Sequence, residues 1–237
     1  MRDQQLPLRV KLPDHAVFDN FYAGPNEELV AYLCDQPQAM TWVWGEPSTG
    51  KTHLLQASAA RFSQSAYLPL ADVQHYGPRI LSGYGAFDQV CLDDLDQVVT
   101  DDASSWEDAL FELFQDLSER GATLIVASRA APQNVALSMA DLKSRLLSGP
   151  VYRLQVLDDD ERLKAMQLRA WRRGLKLPDA TGEYLLKRLQ RDMKSLCDFL
   201  DHLDTASLVR KSKLTVALVK ATLDARQDAH SAPGAQI

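Results

Sequence analysis

Two rhythms divide this chain. Through residues 40–157, short apolar runs alternate with longer amphipathic stretches. Met40–Trp44, Tyr67–Leu70, Gln89–Leu92, Thr123–Ala127 and Val151–Leu154 are brief and continuously apolar, the pattern of strands buried on both faces. Between them, Thr52–Ser63 and Ala109–Arg120 repeat their apolar positions at helical spacing, and Pro25-Asn26-Glu27-Glu28-Leu29 opens an earlier helix. Strands alternating with helices predict the α/β class, a parallel sheet with helices on both faces. From Asp158 the strands stop. Asp158–Arg173 opens on an acidic cluster, spaces Leu163, Met166 and Ala170 helically, and closes at Gly174; further helices begin at Pro178-Asp179, near Asp192 and near Thr215. The expected organisation is a flexible arm over 1–14, a core over 15–157, a small all-α domain over 158–229 and a disordered tail over 230–237.

Composition changes this picture only at its margins. Hydrophobic and charged shares of 46% and 24% are ordinary for a folded protein in water. No apolar run approaches the length of a membrane span, and Met1–Gln5 lacks the apolar core of a secretion signal, so a cytoplasmic protein is expected. Three widely spaced cysteines, Cys34, Cys91 and Cys197, fit reduced thiols. A net charge of −6 argues against coating duplex DNA by charge alone. From Asp158 onward 15 Lys+Arg face 12 Asp+Glu, a net of +3, leaving 11 against 20, or −9, for the rest. Such asymmetry suits either head-to-tail association or two ordinary solvated surfaces.

The chemistry begins at Gly45-Glu46-Pro47-Ser48-Thr49-Gly50-Lys51-Thr52, a P-loop between an expected strand and an expected helix. Its glycines let backbone N–H groups turn inward around a β-phosphate. Lys51 reaches β/γ oxygens, and the Thr52 hydroxyl is placed to ligate Mg²⁺. Gly45, Pro47, Ser48, Thr49, Gly50, Lys51, Thr52 and His53 are therefore the residues expected to hold ADP or ATP. Val90-Cys91-Leu92-Asp93-Asp94 is an apolar strand ending in two carboxylates, about forty residues later. Asp93 would hold the Mg²⁺ and Asp94 would orient an attacking water, while Asp96 reads as a helix cap or surface residue. Ser128 ends another buried strand and either meets the γ-phosphate or its water or serves a plain turn. Arg145 either reaches a neighbouring subunit's γ-phosphate or pairs with Asp141 four residues earlier. Arg191 either folds back onto a phosphate, closing the helical domain as a lid, or is one exposed arginine among many.

Taken together, Phe18-Asp19-Asn20-Phe21, Gly50-Lys51-Thr52-His53-Leu54-Leu55, Asp93-Asp94, Ser144-Arg145-Leu146 and Arg191-Asp192-Met193 resemble the AAA+ ATPases, and within them the DnaA family of replication initiators. The resemblance spans about residues 15–225 and leaves no room for the helix-turn-helix domain with which the initiators bind duplex DNA. The chain also resembles the short regulatory homologues that switch DnaA off. In the arm, Gln5-Leu6-Pro7-Leu8-Arg9-Val10 is similar to a clamp-binding peptide: Gln5 would hydrogen-bond while Leu6, Leu8 and Val10 enter an apolar groove on the sliding clamp (the polymerase β subunit). The terminal aromatic of that peptide is absent. The resemblance implies an ADP-bound protein that docks on the DNA-loaded clamp, contacts DNA only through it, and presents Arg145 as an arginine finger to ATP held by DnaA. It implies that Arg191 contacts the chain's own nucleotide. It also leaves room for a homodimer and for an autonomous ATPase of the helicase-loader type acting on single-stranded DNA.

Overall fold

A computed structural model describes residues 16–35, 40–100, 104–210 and 214–231; over 204–210 and 225–231 it describes the backbone alone. The arm residues Gln5, Leu6, Leu8 and Val10, and the tail after Ser231, lie outside the described residues. The chain divides into two compact units. One holds Ala23–Val156 with the described residues before Asn20, and the other holds Leu157 onward with Asn20–Tyr22.

The first unit is a five-stranded sheet. Its strands are β1 (Met40–Trp44), β2 (Ser65–Pro69), β3 (Gln89–Asp93), β4 (Thr123–Ser128) and β5 (Val151–Arg153). All pair in parallel, in the order β2-β3-β4-β1-β5. The helices among them are α1 (Glu27–Cys34), α2 (Lys51–Ala60), α3 (Leu70–Val73), α4 (Ser104–Glu119) and α5 (Ala140–Leu146). Interior strand positions are apolar on both faces, as a sheet covered on both sides demands: Trp42, Leu68, Val90, Leu92, Leu124 and Val126 are all buried.

Three differences from the sequence reading have simple causes. Leu70 leaves the second strand to start α3, because Pro69 cannot donate to a continuing ladder. The fourth helix begins at Ser104 rather than Ala109, since Glu107 breaks the apolar period and is nonetheless buried. The short α5 stands where the periodicity promised no element, with only Leu142 and Leu146 buried within it.

The second unit is built of α6 (Asp159–Arg172), α7 (Asp179–Arg188), α8 (Met193–Arg210) and α9 (Val216–Ser231). It has its own core of Met166, Leu185, Leu196, Phe199, Leu203 and Val219. The acidic cluster is a capping box. Asp158 accepts the Glu161 N–H at 2.8 Å, while the Glu161 carboxylate accepts the Asp158 N–H at 2.9 Å. Among the described residues no helix is long and apolar enough to cross a membrane.

Strand register positions the site. Trp44 lies level with Ser128 and Arg153, and Pro69 with Asp93. Loops leaving the carboxyl ends of β1, β3 and β4 therefore gather on one rim. Because β4 stands between β1 and β3, that rim offers a crevice between the P-loop and the Asp93-Asp94 pair, where open α/β sheets bind ligands.

Candidate functional site

Two backbone constraints shape the P-loop. Gly50, the residue before α2, has φ +105°, and Ser48 has φ +61°, so the loop turns through conformations that L side chains rarely adopt. Gly45 is fixed by space. A Cβ there would stand 2.6 Å from the carbonyl oxygen of Leu154, at the end of β5. The Gly45 N–H meets the Ser128 carbonyl at 3.3 Å, so the root of the loop is held by both neighbouring strands.

Lys51 and Thr52 form the first turn of α2. The Lys51 ammonium is buried and donates to the carbonyls of Gly45 at 2.6 Å and Glu46 at 2.8 Å. Burial holds its pKa below the ordinary lysine value, against the pull of Asp93, Asp94 and Asp96. The Thr52 hydroxyl donates to Asp93 Oδ2 at 2.6 Å. Thr49 donates to the Glu46 carbonyl at 2.9 Å, and His53 Nε2 lies 2.9 Å from the Val17 carbonyl oxygen. Pro47 is exposed at the crest of the loop.

Asp93 ends β3 buried, and Tyr67 on β2 donates its hydroxyl to the same Oδ2 at 3.0 Å. Burial and the nearby carboxylate push the Tyr67 phenol well above its ordinary value, so it remains a donor. Asp94 turns the chain with φ +54°, and its N–H meets Asp93 Oδ1 at 3.0 Å. Its carboxyl pKa is raised, first by burial and then by Asp93. Arg129 Nε stands 3.7 Å from Asp94 Oδ1. The Arg129 N–H donates to Asp96 Oδ1 at 2.9 Å, so Asp96 pins the loop after β4 instead of capping a helix.

This set has the chemistry of a phosphate and divalent-cation site. Backbone N–H groups at a left-handed turn, a desolvated ammonium, and a hydroxyl paired with a carboxylate converge at one helix N-terminus. Lys51 and the loop would hold an adenine nucleotide's phosphates, and Thr52 with Asp93 would hold Mg²⁺.

The other expected contacts are placed differently. Ser128 is 0% exposed, accepts the Trp42 indole N–H at 2.8 Å and donates to the Ala130 carbonyl at 2.7 Å. Its single proton goes to the turn in this structure, and the next residue, Arg129, faces the carboxylates. Arg145 pairs through Nε with Asp141 Oδ2 at 3.3 Å and lies over the rings of Phe111 and Phe114, at 4.9 and 5.8 Å. Among the described residues its two terminal nitrogens take no hydrogen bond, and the side chain is 38% exposed. Arg191, 63% exposed, pairs with Asp159 at 3.1 Å within the second unit. Tyr67 and Arg129 escaped the sequence reading. Tyr67 sits in an apolar run where an aromatic signals packing, and Arg129 follows a strand end where any polar residue would serve.

Residues 159–223 match the family model described as "Hda, lid domain". Domain III of the Thermotoga maritima replication initiation protein DnaA superposes with a TM-score of 0.72 at 18% identity, covering 91% of this chain and 98% of that one. A structure of the replication initiator DnaA bound to AMPPCP and single-stranded DNA matches at 0.69 and 20% identity, over 92% of this chain and 71% of that one. The Thermotoga maritima RuvB Holliday junction branch migration motor matches at 0.57 and 16% identity, over 92% and 72%. The first unit has the AAA+ fold in its DnaA-like form, and the second is similar to the lid of Hda.

Proposed function

We propose that this chain, an AAA+ protein similar to Hda and DnaA, is a nucleotide-bound regulator that stimulates ATP hydrolysis by the initiator DnaA from a dock on the DNA-loaded sliding clamp, and so represses re-initiation. Its own P-loop would carry ADP as a structural ligand, held by Lys51 and the loop, with Thr52 and Asp93 on Mg²⁺ and Arg191 as the lid's contact. Gln5, Leu6, Leu8 and Val10 would form the clamp peptide.

The observation that supports a role in trans is the position of Arg145. Its carbonyl accepts from Ser148, and a Cβ on Gly149 would meet the backbone of Met40, the first residue of β1. The P-loop leaves the last residue of β1. Arg145 therefore stands at the opposite end of the strands from its own P-loop. A part-exposed guanidinium resting over aromatic rings, with no hydrogen bond to its terminal nitrogens among the described residues, is suited to the charge that develops on a phosphoryl group held by a neighbour.

The deciding experiment measures ATP hydrolysis by DnaA with loaded clamp and this chain. Arg145→Ala should lower stimulation about 1,000-fold or more while ADP binding persists, in the range lost when an arginine finger is removed. Full stimulation by Arg145→Ala would refute the reading, and clamp capture undiminished by deletion of residues 4–10 would refute the dock.

Asp94 favours a second reading, an autonomous ATPase of the helicase-loader type. A carboxylate with a raised pKa beside the metal-holding residue is a better proton acceptor than an ordinary one. Rapid ATP turnover by the chain alone, stimulated by single-stranded DNA and lost in Asp94→Asn, would select it.

A further inference from the structure

Helix α4 carries a stripe that the nucleotide chemistry does not use. Glu107, Phe111 and Phe114 are four and three residues apart and therefore share one helix face. Glu107 is 1% exposed. One of its oxygens accepts the Ser138 N–H at 2.8 Å; the other accepts the Met139 N–H at 2.6 Å and the Ser138 hydroxyl at 2.9 Å. A carboxylate tolerates such burial only when donors surround it. These donors lie immediately before α5, the helix that bears Arg145. At the other end of α5, the Arg145 guanidinium rests over Phe111 and Phe114, the next residues of the same stripe.

A helix of seven residues is too short to hold a direction by itself. One face of α4 supplies both fixed points: a buried anion at the start of α5 and a shelf of two rings beneath the arginine at its end. We propose that Glu107 is a positioning residue for Arg145, setting the place and tilt of α5 so that the guanidinium meets the partner's phosphate already oriented. This rests on the reading of Arg145 as the group offered in trans.

The test titrates the chain into an assay of ATP hydrolysis by DnaA on loaded clamp, separating the maximal stimulated rate from the half-saturating concentration. Glu107→Gln should lower the maximal rate about tenfold and leave both the half-saturating concentration and ADP affinity within twofold. A residue that merely stabilises the fold would shift ADP affinity and melting temperature and leave the maximal rate of the folded fraction untouched. Phe111→Leu, which keeps bulk but removes a ring face, should lower the maximal rate at least threefold, and it decides alone if Glu107→Gln fails to bind ADP. A folded Glu107→Gln, or Phe111→Leu in its place, with an unchanged maximal rate overturns the proposal. Arg145→Ala, run beside them, separates the two claims: if it too stimulates fully, the trans reading falls, whereas its loss beside a fully active Glu107→Gln removes only the role of Glu107.

Discussion

Asp93 shows how much one side chain can be asked to do. A single oxygen accepts from Thr52 on the P-loop helix and from Tyr67 on the neighbouring strand. Were Thr52 to turn toward a metal ion, Tyr67 would still hold the carboxylate. Tyr67→Phe should therefore leave the fold intact and weaken the Mg²⁺ dependence of nucleotide binding about tenfold, the cost usual for losing an outer partner of a metal ligand; titrating Mg²⁺ against a fluorescent nucleotide reads it. Two residues earlier, burial pushes the Cys91 thiol up to about 12 from 9.0. The unfolded chain ionises first, so this thiol leaves stability intact below pH 9 and lowers it as the pH climbs toward about 12. The difference in urea midpoint between the parent and Cys91→Ala across that window should show it. The placement of the P-loop, Asp93 and Asp94 was legible in the sequence because it is local: a fixed spacing and a strand end. Tyr67, Glu107 and Arg129 were not, because each is defined by a partner far along the chain or across the sheet, and apolar periodicity is silent on such pairs.

At the scale of elements, strands were easier to read than short helices. Strands β1 to β4 are buried along most of their length and announce themselves as continuous apolar runs; the edge strand β5, expected to be buried from Val151–Leu154, ends at Arg153 and leaves Val151 and Arg153 exposed because only β1 flanks it. By contrast α5 buries two leucines and depends on α4 for the rest. The same logic locates the tightest joint in the sheet. An added Cβ on Gly149 would fall 1.6 Å from the Met40 carbonyl oxygen, a backbone atom that cannot step aside. Gly149→Ala should thus part β5 from β1 and cost about 3 kcal/mol or more, at the upper end of overpacking penalties, measured by chemical denaturation. The acidic opening of α6 marked a helix start in the sequence, and the structure adds that Asp158 and Glu161, three residues apart, close it as a capping box.

For the molecule as a whole, the change from mixed strands to helices alone marked two bodies, and each has a core of its own. A fragment of residues 157–231 should accordingly show helical circular dichroism and a cooperative thermal transition without the rest of the chain. Non-cooperative melting would mean that its core of Phe199 and Leu203 is not self-sufficient. Arg145 and the P-loop occupy opposite ends of the strands, and this gives the molecule a direction. On the proposed reading, a contact that spends the arginine end of this chain on a neighbour's nucleotide is one-sided, as in the growth of a linear polymer with unlike ends. Such a contact leaves this chain's own nucleotide end free, so it is heterologous rather than self-complementary.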